Sequence, residues 1–249
     1  NNVFLGDSAG YAITTGADNV SVGKSALYVA QTSSSNTAIG TSALQNLTSG
    51  TLNVAIGHQA GDAITTANYN MLVGGLAGGA ITTGNDNVVM GYAALDANST
   101  GSGNTAIGHF AGSAVTGGSN SFLGYQAGLA VSTGEQHVAM GVQSLLSATT
   151  GAGNTAIGNQ AARTGTGFQY TTAVGYESLY NATGNNNSAL GWRAGKAITT
   201  GANNLILGAE AGETGSPGGA VTTASHQVCI GDEQITHSHV QVDWTVASD

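Results

Sequence analysis

Asn36-Thr37-Ala38-Ile39-Gly40, Asn53-Val54-Ala55-Ile56-Gly57 and Asn70-Met71-Leu72-Val73-Gly74 are one phrase repeated every 17 residues. Followed in both directions, its Gly falls at 6, 23, 40, 57, 74, 91, 108, 124, 141, 158, 175, 191, 208 and 231, which makes fourteen copies. The residue before each Gly is aliphatic or Met in every copy. Asn stands four residues before it in eleven of the fourteen, with His137, Thr171 and Gln227 in the others. Ala stands three residues after it in eleven, with Ser144, Ser178 and Gln234 in the rest. So strict a period means that each copy stacks on its neighbours.

The apolar stretch is too short for an amphipathic helix and has no i, i+3, i+4 stripe. Val, Ile and Thr bounded by Asn and Gly read as strand and turn. The expected fold is all-β: a parallel β-solenoid or β-roll with 17-residue coils, two short strands and two tight turns in each. Gly supplies conformations closed to other residues, and Asn is expected to take left-handed φ at the opposite corner. At the usual strand spacing of about 4.8 Å, fourteen coils make a rod on the order of 60 Å long. The solenoid is expected over 1–214, an irregular last coil with an inserted loop over 215–231, and a strand-rich cap or junction over 232–249.

The motif strand is apolar on both faces. A strand buried on both sides needs a second layer outside its own coil. The middle position is Ala in seven copies, and these small residues (Ala38, Ala55, Ala106, Ala139, Ala156, Ala173 and Ala189) are expected to face sister chains of an intertwined or side-by-side homotrimer; a dimer satisfies the same burial, and a monomeric solenoid with an apolar outer wall is the plainer alternative.

Composition narrows the function. Only 7% of the 249 residues are charged, with four Lys or Arg against thirteen Asp or Glu. So few cations cannot neutralise a phosphate backbone or hold an anionic membrane surface. No apolar run approaches a membrane span. Nucleic-acid partners and membrane insertion are therefore not expected. One cysteine, Cys229, permits no internal disulfide, and its small apolar position reads as a buried one.

Chemistry-bearing constellations are sparse. His237-Ser238-His239 places two imidazoles on one strand face, and three chains would present six, an octahedral candidate for Fe or Ni; two surface histidines are the plainer alternative. No other cofactor is expected. Tyr92, Tyr125, Tyr176 and Trp192 share the position after the motif Gly, an aromatic row that suits either sugar stacking or ordinary surface packing. Val22-Gly23-Lys24-Ser25 lacks the first Gly of a phosphate loop, since Asp18 stands there. No carboxylate pair and no Ser/His/Asp or Cys/His set stands out, so no enzymatic activity is expected.

The copies NTAIG (36–40, 104–108, 154–158) and NVAIG (53–57), each with Ala three residues past the Gly, resemble the head repeats of trimeric autotransporter adhesins. That resemblance implies left-handed parallel β-rolls trimerised through the inner strand. The array over residues 1–231 is more similar to the NTAIG repeats of phage and prophage tail fibres. It implies a structural shaft in a virion tail fibre, outside the cell, with neighbouring fibre or baseplate proteins and a host-surface glycan or protein receptor as partners. The adhesin alternative implies a bacterial cell surface; a glycan-binding or glycan-degrading module is a further one. Residues 240–249 resemble the junction before an endosialidase-type intramolecular chaperone, which implies a processing bond at Ser248-Asp249.

Overall fold

In the computed structural model of the chain, which describes residues 1–216, 219–232 and 234–235, each motif copy becomes one three-residue strand. They are β1 (Val3–Leu5), β2 (Val20–Val22), β3 (Thr37–Ile39), β4 (Val54–Ile56), β5 (Met71–Val73), β6 (Val88–Met90) and β7 (Thr105–Ile107). The series continues with β8 (Ser121–Leu123), β9 (Val138–Met140), β10 (Thr155–Ile157), β11 (Thr172–Val174), β12 (Ser188–Leu190), β13 (Leu205–Leu207) and β14 (Val228–Ile230). All fourteen form a single parallel sheet in chain order. Equivalent positions pair: Thr37 with Val54, Ala38 with Ala55, Ile39 with Ile56. The fold is a parallel β-solenoid, with no helix among the described residues.

Each coil holds one strand, not the two expected. Past the motif Gly the backbone alternates in the sign of φ: Ser42 has φ 59° and Leu44 has φ 49°, while Ala43 between them does not share the positive φ. An extended strand cannot pass through alternating left-handed residues. The segment still ladders between coils, because every second amide reaches a neighbouring coil, in opposite directions, while Ala43 N–H between them donates to Gly40 O of its own coil. Ser42 N–H donates back to Lys24 O at 2.9 Å, and Leu44 N–H donates forward to Ala60 O at 3.1 Å. Backbone groups are therefore satisfied along the irregular wall as along the sheet.

Two ladders fix the coil height. In the first, the motif Gly stands so near the next coil that a Cβ at Gly57 would lie 2.3 Å from Gly74 O, on a backbone with φ +143°. Only Gly satisfies both constraints. The second is built from the motif Asn, which does not sit at a left-handed corner as expected. It lies inside, and the left-handed residue precedes it, as at Ser35 (φ 59°) and Asp86 (φ 57°). Asn53 N–H and Nδ2 donate to Asn36 Oδ1 at 2.9 and 3.1 Å, and Nδ2 also donates to Ala67 O at 2.8 Å. The same contacts recur at Asn70, Asn87 and Asn104. A buried amide with its bonds made costs little, whereas one left unpaired costs about 1–3 kcal/mol.

The core reverses the expected orientation of the strand. Ala38, Ala55, Ala106, Ala139, Ala156 and Ala173 are 0% exposed and Ala189 2%, all within one chain. These seven alanines point into their own coil, so they are not available to face a sister chain as expected. A 17-residue coil encloses a narrow lumen, and Ala is the size that lumen admits beside the facing wall. Volume is balanced along that wall. Gly61, Gly78 and Gly195 are matched by Ile64, Ile81 and Ile198, whereas Leu27, Leu145 and Leu179 are matched by Ala30, Ala148 and Ala182; the non-glycine members, Ile64 through Ala182, are buried. Where the middle residue is Phe122, the neighbouring wall positions Gly112 and Gly128 have no room for a Cβ, with ring carbons 2.7 and 2.3 Å away. The core leucines four residues past the motif Gly carry left-handed φ, as Leu27 at 48° and Leu179 at 49°. That conformation costs roughly 1–2 kcal/mol, and burial of the side chain, worth about 1.5–3 kcal/mol, offsets it.

Candidate functional site

With the middle residue inside, the flanking residues of each strand face out. They form two rows along the sheet, led by Val54, Met71, Val88 and Thr105 on one side and Ile56, Val73, Met90 and Ile107 on the other. Ile39, Ile56 and Ile157 are 37–38% exposed and Leu190 is 55% exposed. None of the twenty-eight residues in these rows is charged, and every one of the second row is aliphatic or Met. The outer face of the sheet is thus uncharged along the rod, with one continuous apolar row beside another in which Val, Met and Leu are interspersed with Ser and Thr, as at Thr105, Ser121 and Thr155. Sequence reasoning recognised a two-sided apolar strand but took the inner side for the outer one.

The aromatic row is where the period placed it, with Tyr92, Tyr125, Tyr176 and Trp192 all 44–52% exposed. It divides into two parts. In the first, His109 fills the coil between Tyr92 and Tyr125. Its ring centroid lies 5.4 Å from Tyr92, 5.7 Å from Tyr125 and 4.2 Å from Phe110, so these rings largely pack on one another. His58 stands three coils from His109 along this row, and the register does not bring the two together. Tyr176 and Trp192, in the second part, sit on adjacent coils beside a charged cluster that one-dimensional reading did not find. Arg193 Nε lies 3.3 Å from Glu177 Oε2, and Arg193 Nη1 lies 3.2 Å from Glu210 Oε1. Lys196 Nζ also bonds Glu177. The Arg193 guanidinium lies 5.1 Å from the Trp192 ring centre, and Arg163 donates to Tyr180 Oη at 2.6 Å. Lys196 holds the Glu177 carboxyl below its ordinary range, while burial raises that of Glu213. The only sequence signal was that three of the four cations lie within residues 163–196.

Inside the rod, His137 takes a rung of the Asn ladder. Its N–H donates to Asn120 Oδ1 at 3.0 Å, its Nε2 lies 2.8 Å from Gly151 O, and Asn154 N–H reaches its Nδ1 at 3.3 Å. Burial lowers its pKa. On the outer wall, Asp62 and Asp96 approach each other across Gly79; burial raises both carboxyls, and for Asp62 the Asp96 charge adds to the rise. The corner hydroxyls are engaged: Thr48 Oγ1 donates to Thr65 O at 2.9 Å, and Thr65 Oγ1 to Thr82 O at 3.2 Å.

Cys229 is 8% exposed at the inner position of β14, which stays in register with β13 despite the longer last coil. Val221 N–H donates to Gly212 O at 2.9 Å and closes the inserted loop back onto the wall. His237, His239, Ser248 and Asp249 lie outside the described residues. Among the described residues no group of three or more His, Cys, Asp or Glu is arranged to hold a metal ion, and no helix is long and apolar enough to cross a membrane.

Comparison with protein families, with curated proteins and with solved structures finds no match to this chain.

Proposed function

We propose that this chain is a rigid shaft segment of a homotrimeric phage tail fibre, which spans distance outside the cell and supports attachment to a host surface. The observation that carries this reading is the uncharged outer face of β1–β14, one row of which is aliphatic or Met in every coil. At about 4.8 Å per coil this row runs on the order of 60 Å, and soluble monomers do not normally expose so extended a contiguous apolar surface. Sister chains that pack these faces against one another would dry them. A three-fold arrangement lets one surface serve all three chains and leaves the turn-rich walls in water. The role is structural, with neighbouring fibre or baseplate proteins at the ends and a host glycan or protein receptor as the object of attachment.

Stiffness supports the reading. Each coil is tied to the next by the sheet, the Gly contacts and the Asn ladder, so bending must strain all three together. The shared NTAIG repeat also fits the head of a bacterial trimeric adhesin. The coding sequence beyond Asp249 separates the two: a chaperone domain belongs to a fibre, and a coiled-coil stalk with a membrane β-barrel to an adhesin. Negative-stain electron microscopy of the purified chain should show straight rods, and flexible or globular particles would refute the shaft.

A further inference from the structure

We propose that Tyr176, Trp192, Arg193, Glu177 and Glu210 form a binding site for an uncharged polysaccharide on the side of the rod. The site joins two elements that recognition of sugars requires, flat apolar surface and fixed polar groups beside it. Tyr176 and Trp192 hold the same position on adjacent coils and are 45% and 48% exposed. Among the described residues neither packs against another ring, in contrast to Tyr92 and Tyr125, which share His109. Their spacing is set by the strand ladder beneath, where Val174 pairs with Leu190. The backbone therefore fixes the attachment points of a two-step aromatic platform, which lowers the ordering that ligand binding must supply.

The polar groups are equally fixed. Arg193 is held between Glu177 and Glu210, at 3.3 and 3.2 Å, with its guanidinium beside the Trp192 ring. The Arg193 and Glu210 side chains remain 34% and 39% exposed, open to hydroxyl groups of a ligand. Such a planar donor beside a carboxylate acceptor matches the paired donor and acceptor character of sugar hydroxyls, while the C–H faces of the ring suit the aromatic steps. Ion pairing within the cluster balances the charges of Glu177 and Glu210 against those of Arg193 and Lys196, which disfavours strongly anionic polymers. A second protein chain is a poorer occupant, because it would strip water from this network without replacing its hydrogen bonds.

The test uses the Trp244→Phe variant of the full chain, in which Trp192 is the one remaining tryptophan. Its fluorescence is followed on titration with dextran, amylose, mannan, laminarin and hyaluronate, with subunit mass measured by light scattering on the same samples. The expected result is a saturable change with at least one neutral polymer, roughly tenfold weaker affinity in Trp192→Ala and a smaller loss in Tyr176→Ala. Trp192→Phe, read by calorimetry, should retain binding, and Tyr92→Ala should not alter it. The proposal falls if no neutral polymer binds, if only hyaluronate binds, or if Trp192→Ala binds as before. It falls also if Trp192→Ala changes the subunit mass, since the ring then belongs to a protein interface. The mass of the unmutated chain reports on the shaft reading separately.

Discussion

The imidazole of His137 stands in for an Asn side chain beneath Asn154. Its Nδ1 receives the Asn154 N–H at 3.3 Å, as an Asn Oδ1 does elsewhere, and its Nε2 meets Gly151 O at 2.8 Å, as an Asn Nδ2 does. Both contacts hold in one state: neutral, with the proton on Nε2. A second proton on Nδ1 would point at another N–H.

This predicts an acid-sensitive coil. Burial puts the folded-state pKa of His137 below its ordinary 6.5. For a depressed histidine the folded state takes the proton less readily than the unfolded chain. The stability it contributes is complete above 6.5 and is lost as pH falls from there toward the folded value. Thermal melts of the wild type should weaken across that window. His137→Asn, which restores the common rung, should remove that part of the pH dependence. Parallel pH profiles for the two proteins would refute the assignment.

Asp62 and Asp96 have the opposite sign. Burial raises both above their ordinary 3.8, so ionisation costs the folded state. The penalty is absent below the unfolded value and complete once pH has risen past the folded one. Asp96→Asn should therefore melt higher than wild type at neutral pH, and the advantage should vanish in acid below 3.8. An equal or lower melting temperature at neutral pH would contradict it.

The Gly ladder predicts a sharp contrast between neighbours. A Cβ at Gly57 would meet Gly74 O at 2.3 Å on a positive-φ backbone. Gly57→Ala should cost about 3 kcal/mol or more in denaturant unfolding. At Gly75 the nearest atom is a Tyr92 ring carbon at 3.5 Å. Gly75→Ala should stay within roughly 0.5 kcal/mol of wild type.

Adjacent residues of β10 should fail in different ways. Ala156 is fully buried, and Ala156→Leu overfills the lumen, with an expected cost of about 1–3 kcal/mol. Ile157 is 37% exposed on the outer face. Ile157→Asp should leave the circular dichroism spectrum intact but lower the subunit mass. Matching effects from the two variants would show that the faces are not divided as described.

The repeat, the strand positions and the coil height were legible in the sequence because one period governs them all. The inward face was not. A three-residue strand such as Thr37-Ala38-Ile39 states that its flanks oppose its centre, but not which side the turns enclose. That choice is made by the left-handed residues at Ser42 and Leu44. The position of Ser42 carries no Gly in any copy, and that of Leu44 is Gly in seven copies but Leu in five, so its left-handed φ is only partly marked in the sequence. The Asn ladder was visible as a column but not as a buried network, since Asn serves at corners equally well. The Glu177–Arg193–Glu210 cluster required the register, which brings residues 16 and 17 positions apart into contact.

Light scattering on the purified chain tests the central claim most directly. The account predicts a particle three times the 24.4 kDa chain mass, sustained on dilution. A folded, soluble particle of a single chain at micromolar concentration would contradict it.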